Sequence, residues 1–253
     1  MRKLIAMTFG LLLTASGFAF AQGVVLQLPA EDQSRITSML GPGVVGNALL
    51  SNTITDASIY FPLKERAVTY QVTSGPRAGN SESSEFAKVR RPGGRMAWRF
   101  NLSRSLTGFI SQAMDGGIIM PAVSDPGEGV IVVTTPANPF VLQGMKPGES
   151  RSFSQQVAVN YLDNPSQQDY SGSLTGTYTY LGTFQVTVPA GTFPAVLFRA
   201  KSQGKVGPAN TVDTTYTFFA PQVGLVAMIM QEDVTAFWLF HIDSSTGRVL
   251  KSK

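Results

Sequence analysis

The chain has 253 residues, 14% of them charged, with a formal net charge of +4 and no cysteine. A charged fraction well below the ~25% of an ordinary soluble domain, with so small a net charge, argues against phosphate-driven recognition of nucleic acid. The missing cysteine excludes disulfide staples, thiol catalysis, thiolate metal sites and a lipid anchor on an N-terminal cysteine.

In chain order, Arg2 and Lys3 precede an apolar run from Leu4 to Leu13, and Ala19-Phe20-Ala21 supplies a small-x-small cleavage pattern. This predicts a secretory signal peptide over residues 1–21, with the working protein starting near Gln22. Losing Arg2 and Lys3 lowers the formal charge from +4 to +2. The expected location is the periplasm, with secretion or the cell surface as alternatives. No later apolar run approaches the ~18 residues of a membrane helix, so the mature chain is expected to carry none.

Residues 22–65 read as an N-terminal segment with one short helix. Pro29 suits its start, Glu31 and Asp32 suit its first turn, and Ile36, Met39 and Leu40 follow at helical spacing before Gly41-Pro42-Gly43. Residues 66–253 read as a single β domain. Val68, Tyr70 and Val72 alternate with polar residues, and Met96, Trp98, Phe100 and Leu102 repeat the pattern after Pro92-Gly93-Gly94. Further strands are expected at 118–123, 130–135, 150–160, 172–181, 184–188, 195–203, 212–219, 223–231 and 237–243. The Gly- and Pro-rich stretch 114–150 is the expected place for an elaborated loop. The predicted class is all-β and mainly antiparallel: a strongly curved sheet, half-barrel or sandwich.

Two late strands are apolar on both faces. Val226, Met228 and Met230 oppose Leu225, Ala227 and Ile229, while Trp238 and Phe240 oppose Phe237 and Leu239. Such strands need cover on both sides. One short helix is too little for several strands, so a second layer, a folded loop, an apolar ligand or a partner is expected.

Three phrases carry a family resemblance: YFPLKERAVTYQVTSG (60–75), VTVPAGTFPAVLFRAKS (186–202) and TYTFFAPQVGLVAM (215–228). Together they resemble a group of bacterial exported β-rich proteins of unknown function, similar to periplasmic curved-sheet proteins of the lipoprotein-carrier type. This chain departs from the opening phrase at Glu65 or Arg66, where Gly is usual, and at Val68, near the usual Trp. The resemblance implies a bent antiparallel sheet cupping a helix and an apolar cavity, and an extracytoplasmic location. It implies no reaction. Physically, Gly191 reads as a turn residue with positive φ, and Gly224 as a strand start at close approach.

Candidate chemistry is sparse. His241 is the only histidine, so a multi-histidine metal site is excluded, and a triad with Ser154 and Asp243 lacks a nucleophile elbow. Ser202 and Lys205 match S-x-x-K but read as a hairpin rather than a helix. Glu82 with Glu85, and Glu232 with Asp233, are the densest carboxylates, while Asp163, Asn164 and Asp169 miss EF-hand spacing. No catalytic, cofactor or metal residue is assigned, and no enzyme activity is expected. Lys88, Arg90, Arg91, Arg95 and Arg99, with Arg104 nearby, form a basic hairpin that is a candidate anionic-surface patch or a charged strand edge. Trp98, Phe100, Met228, Met230, Trp238 and Phe240 form a candidate apolar cavity. The leading reading is an exported non-enzymatic binding or carrier-like protein of the bacterial envelope, holding a lipid-like or other apolar ligand. The alternatives are a structural or assembly protein using its apolar face for an envelope partner chain, an outer-membrane barrel, and a hydrolase with a hidden carboxylate pair.

Overall fold

The computed structural model describes residues 23–236 and 240–253. The expected signal peptide and Trp238 lie outside the described residues, and Phe240 and His241 are described by backbone alone. The elements are β1 (Val24–Val25), α1 (Ala30–Leu40), β2 (Val45–Ser51), α2 (Ala57–Tyr60), β3 (Arg66–Ser74), β4 (Ser81–Arg90) and β5 (Met96–Asn101). They continue as β6 (Thr107–Gln112), β7 (Ile118–Asp125), β8 (Val130–Val141), β9 (Ser150–Tyr161), β10 (Gln168–Val188), β11 (Gly191–Val206), β12 (Ala209–Ala220), β13 (Gly224–Ala236) and β14 (Phe240–Ser252).

Twelve strands close an antiparallel barrel: β3 to β9 run in sequence, β9 pairs β10, β10 to β14 follow, and β14 returns to β3. Closure removes the open edges that a half-barrel or sandwich would leave. β10 makes this possible by changing neighbours. Its first part, Gln168 to Thr179, pairs β9, and its last part, Thr183 to Val186, pairs β2 instead. Gly182 sits at the switch with φ +126°, where the register with β11 also slips. Gly191 (φ +131°) and Gly224 (φ +96°) take the positive φ their turns require.

Strand alternation gives the wall two characters. Tyr178, Ala200, Thr215 and Met230 align directly across β10 to β13 and face inward. The intervening residues of β9 to β11, including Ser152, Ser154, Ser173, Thr175, Thr177, Lys201, Gln203 and Lys205, face outward. That outer wall is polar, the opposite of the apolar lipid-facing band of a membrane barrel.

Two pieces of the N-terminal segment finish the fold. α1 follows its expected bounds, with Pro29 before it and Gly41 ending it. It lies on the outer face and buries Ile36, Met39 and Leu40, each contributing roughly 1.5–3 kcal/mol. Asp32 is also fully buried: Arg199 Nη1 donates to its two oxygens at 2.9 and 2.7 Å, and Tyr216 donates to Oδ1 at 2.6 Å. Arg35 donates to Gln231 at 2.7 Å, and Thr73 donates to the Met39 carbonyl at 2.8 Å. The expectation that one helix is too little is therefore corrected. α1 packs on β13, β14 and β3, and Asp32 extends its reach to β11 and β12, because a tilted helix crosses strands rather than following one.

The second piece is a plug. Asp56 caps the short α2, accepting from the Ser58 amide at 2.9 Å. The plug is tied down by the Ile54 amide to Met145 (2.9 Å) and the Gln222 amide to Ile59 (2.7 Å). It drives Phe61 into one end of the barrel, where its ring meets those of Phe86, Phe100, Phe140 and Phe219 edge-on at 5.0–5.8 Å. These four rings come from β4, β5, β8 and β12, so their shared face is the interior. Within the stretch 114–150, the strands expected at 118–123 and 130–135 are β7 and β8, and β8 runs on to Val141, which shortens the expected loop. Pro136 and Pro139 hide that extension in the sequence, and the ladder slips near Met120, beside Pro121.

Candidate functional site

Beside the Phe61 layer, a cavity of about 220 Å³ lies within the barrel. Its apolar wall comes from Met120, Phe140, Phe153, Leu174, Met228 and Met230 on five different strands, with Thr215 and Thr217 between them. Small Ala200 leaves the room that a larger side chain at this inward position would occupy. Tyr178 donates to the Phe140 carbonyl at 2.6 Å, bracing β10 against β8 across the interior. Burial raises the Tyr178 phenol well above its ordinary pKa.

Asp213 lines one side of the cavity. Asp213 and Glu232 stand directly opposite each other across β12 and β13. Asp213 accepts from Ser202 at 3.3 Å and Thr211 at 3.1 Å. Burial raises the Asp213 carboxyl, with these hydrogen bonds opposing. Burial also raises the Glu232 carboxyl, and the neighbouring Asp213 adds to the effect.

On the other side lies Arg248, in β14 and only 2% exposed. Its Nη1 donates to the Asn101 carbonyl at 3.1 Å. Its guanidinium carbon sits 4.5 Å from the Tyr70 ring centre and 5.6 Å from that of Phe100. Nε and Nη2 have no hydrogen-bond acceptor among the described residues. A buried donor left unpaired costs roughly 1–3 kcal/mol. Burial lowers the Arg248 pKa, while Tyr70 and Glu82 oppose the fall. Burial raises Tyr70 to about 12.

Arg248 borders a second pocket of about 320 Å³, lined also by Arg77, Ser81, Glu82, Ser84, Asn101, Ser103 and Arg104. Glu82 is engaged by Arg77 Nε at 2.8 Å. Met228, which lines the apolar cavity, stands directly across from Arg248 between β13 and β14. Leu102, another cavity residue, is flanked by Asn101 and Ser103 of the polar pocket. The apolar and polar sites are therefore adjoining compartments.

The structure brings some of the expected site residues together. Trp98, Phe100, Met228 and Met230 all belong to the interior face. Met228 and Met230 line the cavity, whereas Trp98 stacks on Phe86 at 5.1 Å and Phe100 joins the Phe61 layer. The basic hairpin is divided. Lys88 and Arg90 stand opposite Trp98 and Met96, on the interior side of the wall. Arg99 stands opposite Phe109, on the outer side, and is paired with Glu85. Arg91 and Arg95 flank the turn, joined by a backbone hydrogen bond of 3.2 Å.

Other candidate pairs separate by strand parity. Ser202 faces inward and Lys205 outward, Glu82 inward and Glu85 outward, and Glu232 and Asp233 occupy opposite faces. Among the described residues no three His, Cys, Asp or Glu gather as a metal site. Sequence reasoning missed Arg248 and the Asp213–Glu232 pair. The only available signal was a charged residue at an inward position of an alternating strand.

No family model and no curated protein matches the chain. Among solved structures, a Bacteroides fragilis protein described as exported with a YmcC-like fold is similar, with a TM-score of 0.43 and 13% identity over 77% of this chain and 98% of its own. A Parabacteroides distasonis protein described as a lipoprotein gives a TM-score of 0.37 and 14% identity over 78% of this chain and 99% of its own.

Proposed function

We propose that this chain is an exported, non-enzymatic carrier-like protein of the bacterial envelope that holds an apolar or amphipathic ligand inside its barrel. The observation that carries this reading is the distribution of side chains: polar residues face out along β9 to β11, while the interior holds a cavity bordered by Met228, Met230, Phe153 and Leu174. Flexible methionines suit an irregular apolar guest. The volume, about 220 Å³, falls below the 300–1,000 Å³ typical of drug-sized sites and fits one short chain. The expected signal peptide supports a periplasmic location. The separation of the candidate nucleophile and carboxylate pairs supports a non-enzymatic role. Calorimetric titration with the uncharged probe decanol tests the reading. One equivalent should bind wild type, and Ala200→Phe, which fills the cavity, should bind at least tenfold less. Equal binding by both proteins would place the probe elsewhere and end the proposal.

A second reading has one observation in its favour. β1 is the open end of the sheet, and Val24, Val25 and Leu50 are exposed there. Such an edge suits a strand from an envelope partner. Crosslinking in intact cells through a probe at Val25 should then capture a neighbour, and a wholly monomeric product would remove this alternative.

A further inference from the structure

Arg248 is a buried charge with two unpartnered donors in the described interior. It is 2% exposed, yet among the described residues Nε and Nη2 have no acceptor and no carboxylate is hydrogen-bonded to it. The nearest acid, Glu82, is already held by Arg77. Around the adjoining pocket stand three cations, Arg77, Arg104 and Arg248, against the single anion Glu82, so the site carries an excess of positive charge. Ser84 and Ser103 add hydroxyl groups beside it. The pocket shares Arg77, Glu82, Ser103 and Arg104 with a neighbouring groove of about 530 Å³, which gives it a polar approach.

A planar guanidinium with free donors matches carboxylate or phosphate oxygens. Its cross-strand neighbour Met228 opens onto the apolar cavity. From this juxtaposition we infer that the interior takes a single-chain anionic amphiphile, its carboxylate or phosphate group on Arg248 and its chain passing Met228 into the cavity. Ser103 contacts the head group, and Arg104 adds attraction at the approach. The inference rests on the carrier reading above and specifies the head group it recognises.

Calorimetry on the purified mature protein with decanoate, decyl phosphate, decanol, acetate and inorganic phosphate separates the two claims. Wild type should bind decanoate and decyl phosphate at least tenfold more tightly than decanol, with acetate and inorganic phosphate far weaker than either. Arg248→Met should reduce decanoate to the affinity of decanol. Met228→Glu, which supplies an internal carboxylate while keeping Arg248, should do the same, so the test survives if Arg248→Met does not fold. Equal binding of decanoate and decanol by wild type would overturn the head-group inference and leave the carrier reading standing. So would selectivity that persists in the variants. Inorganic phosphate binding as tightly as decyl phosphate would make this a small-anion site and overturn the amphiphile. Failure of every chain-bearing probe, decanol included, would bring down the carrier reading itself.

Discussion

Arg199 and Arg248 occupy opposite faces of the same barrel wall, on β11 and β14, and have opposite company. Arg199, on the outer face, donates to both carboxylate oxygens of fully buried Asp32, which also accepts from Tyr216. Arg248, on the inner face, donates to one backbone carbonyl and rests against two aromatic rings. The outer arginine, through Nη1, is a charge-paired latch that fixes α1 to the sheet, although its Nε has no acceptor among the described residues. The inner one is left open beside a pocket. The fold supplies a counter-charge for one buried arginine and, among the described residues, none for the other, and the proposed binding role rests on that difference.

The largest expected effect breaks the latch. Asp32→Ala leaves Arg199 without its carboxylate and Tyr216 without an acceptor, and should destabilise the protein by about 3 kcal/mol, measured by urea denaturation. A loss below about 1 kcal/mol would mean that α1 is held by Ile36, Met39 and Leu40 alone. Arg248→Met should behave differently, changing stability by less than about 1 kcal/mol, because relief of an unpaired buried charge offsets the lost hydrogen bond. A loss near that of Asp32→Ala would show that Arg248 is structural.

Supplying the missing acid sharpens the contrast. Met228→Glu and Met228→Gln introduce side chains of similar size opposite Arg248. The Glu variant should be the more stable by about 1 kcal/mol, near the upper end for an opposed cross-strand ion pair. Equal stability would mean that the guanidinium is already satisfied.

The smallest effect lies on the Asp213 side of the cavity. The Asp213 and Glu232 carboxyls are raised, chiefly by burial. The folded state therefore holds these protons more tightly than the unfolded chain, and stability falls as pH rises from the ordinary carboxylate range through the raised values. Glu232→Gln should gain at most about 0.5 kcal/mol at pH 7, since Glu232 stays open to screening water. The gain should vanish below about pH 4, where both states are protonated. A gain independent of pH would locate its cause in packing rather than charge.

Much of the wall was legible because alternation is local. Trp98 with Phe100, and Met228 with Met230, declare one face through their spacing alone. α1 was legible through Pro29, Ile36 and the Gly41 stop. Closure was not, because the Gly247–Ser74 pairing that joins β14 to β3 links residues far apart in the chain. The segment from Gly247 to Lys253 has no aromatic residue to mark a closing strand, yet Val249 and Leu250 are core residues. The phrase Tyr60-Phe61-Pro62-Leu63 was visible, but nothing local says that Phe61 enters the barrel. Arg248 was the least legible of all. A buried and a solvated arginine read identically in sequence, and only the meeting of Tyr70, Phe100 and Asn101 around it distinguishes them.

The central claim, that the interior is a ligand site, is tested most directly by methionine-methyl NMR during titration with decanoate. Met228 and Met230 line the cavity, whereas Met96 and Met114 are 47% and 108% exposed. The account predicts that the Met228 and Met230 methyl signals shift and saturate at one equivalent while those of Met96 and Met114 stay in place. Shifts confined to Met96 and Met114, or no saturable shift at Met228 and Met230, would contradict it.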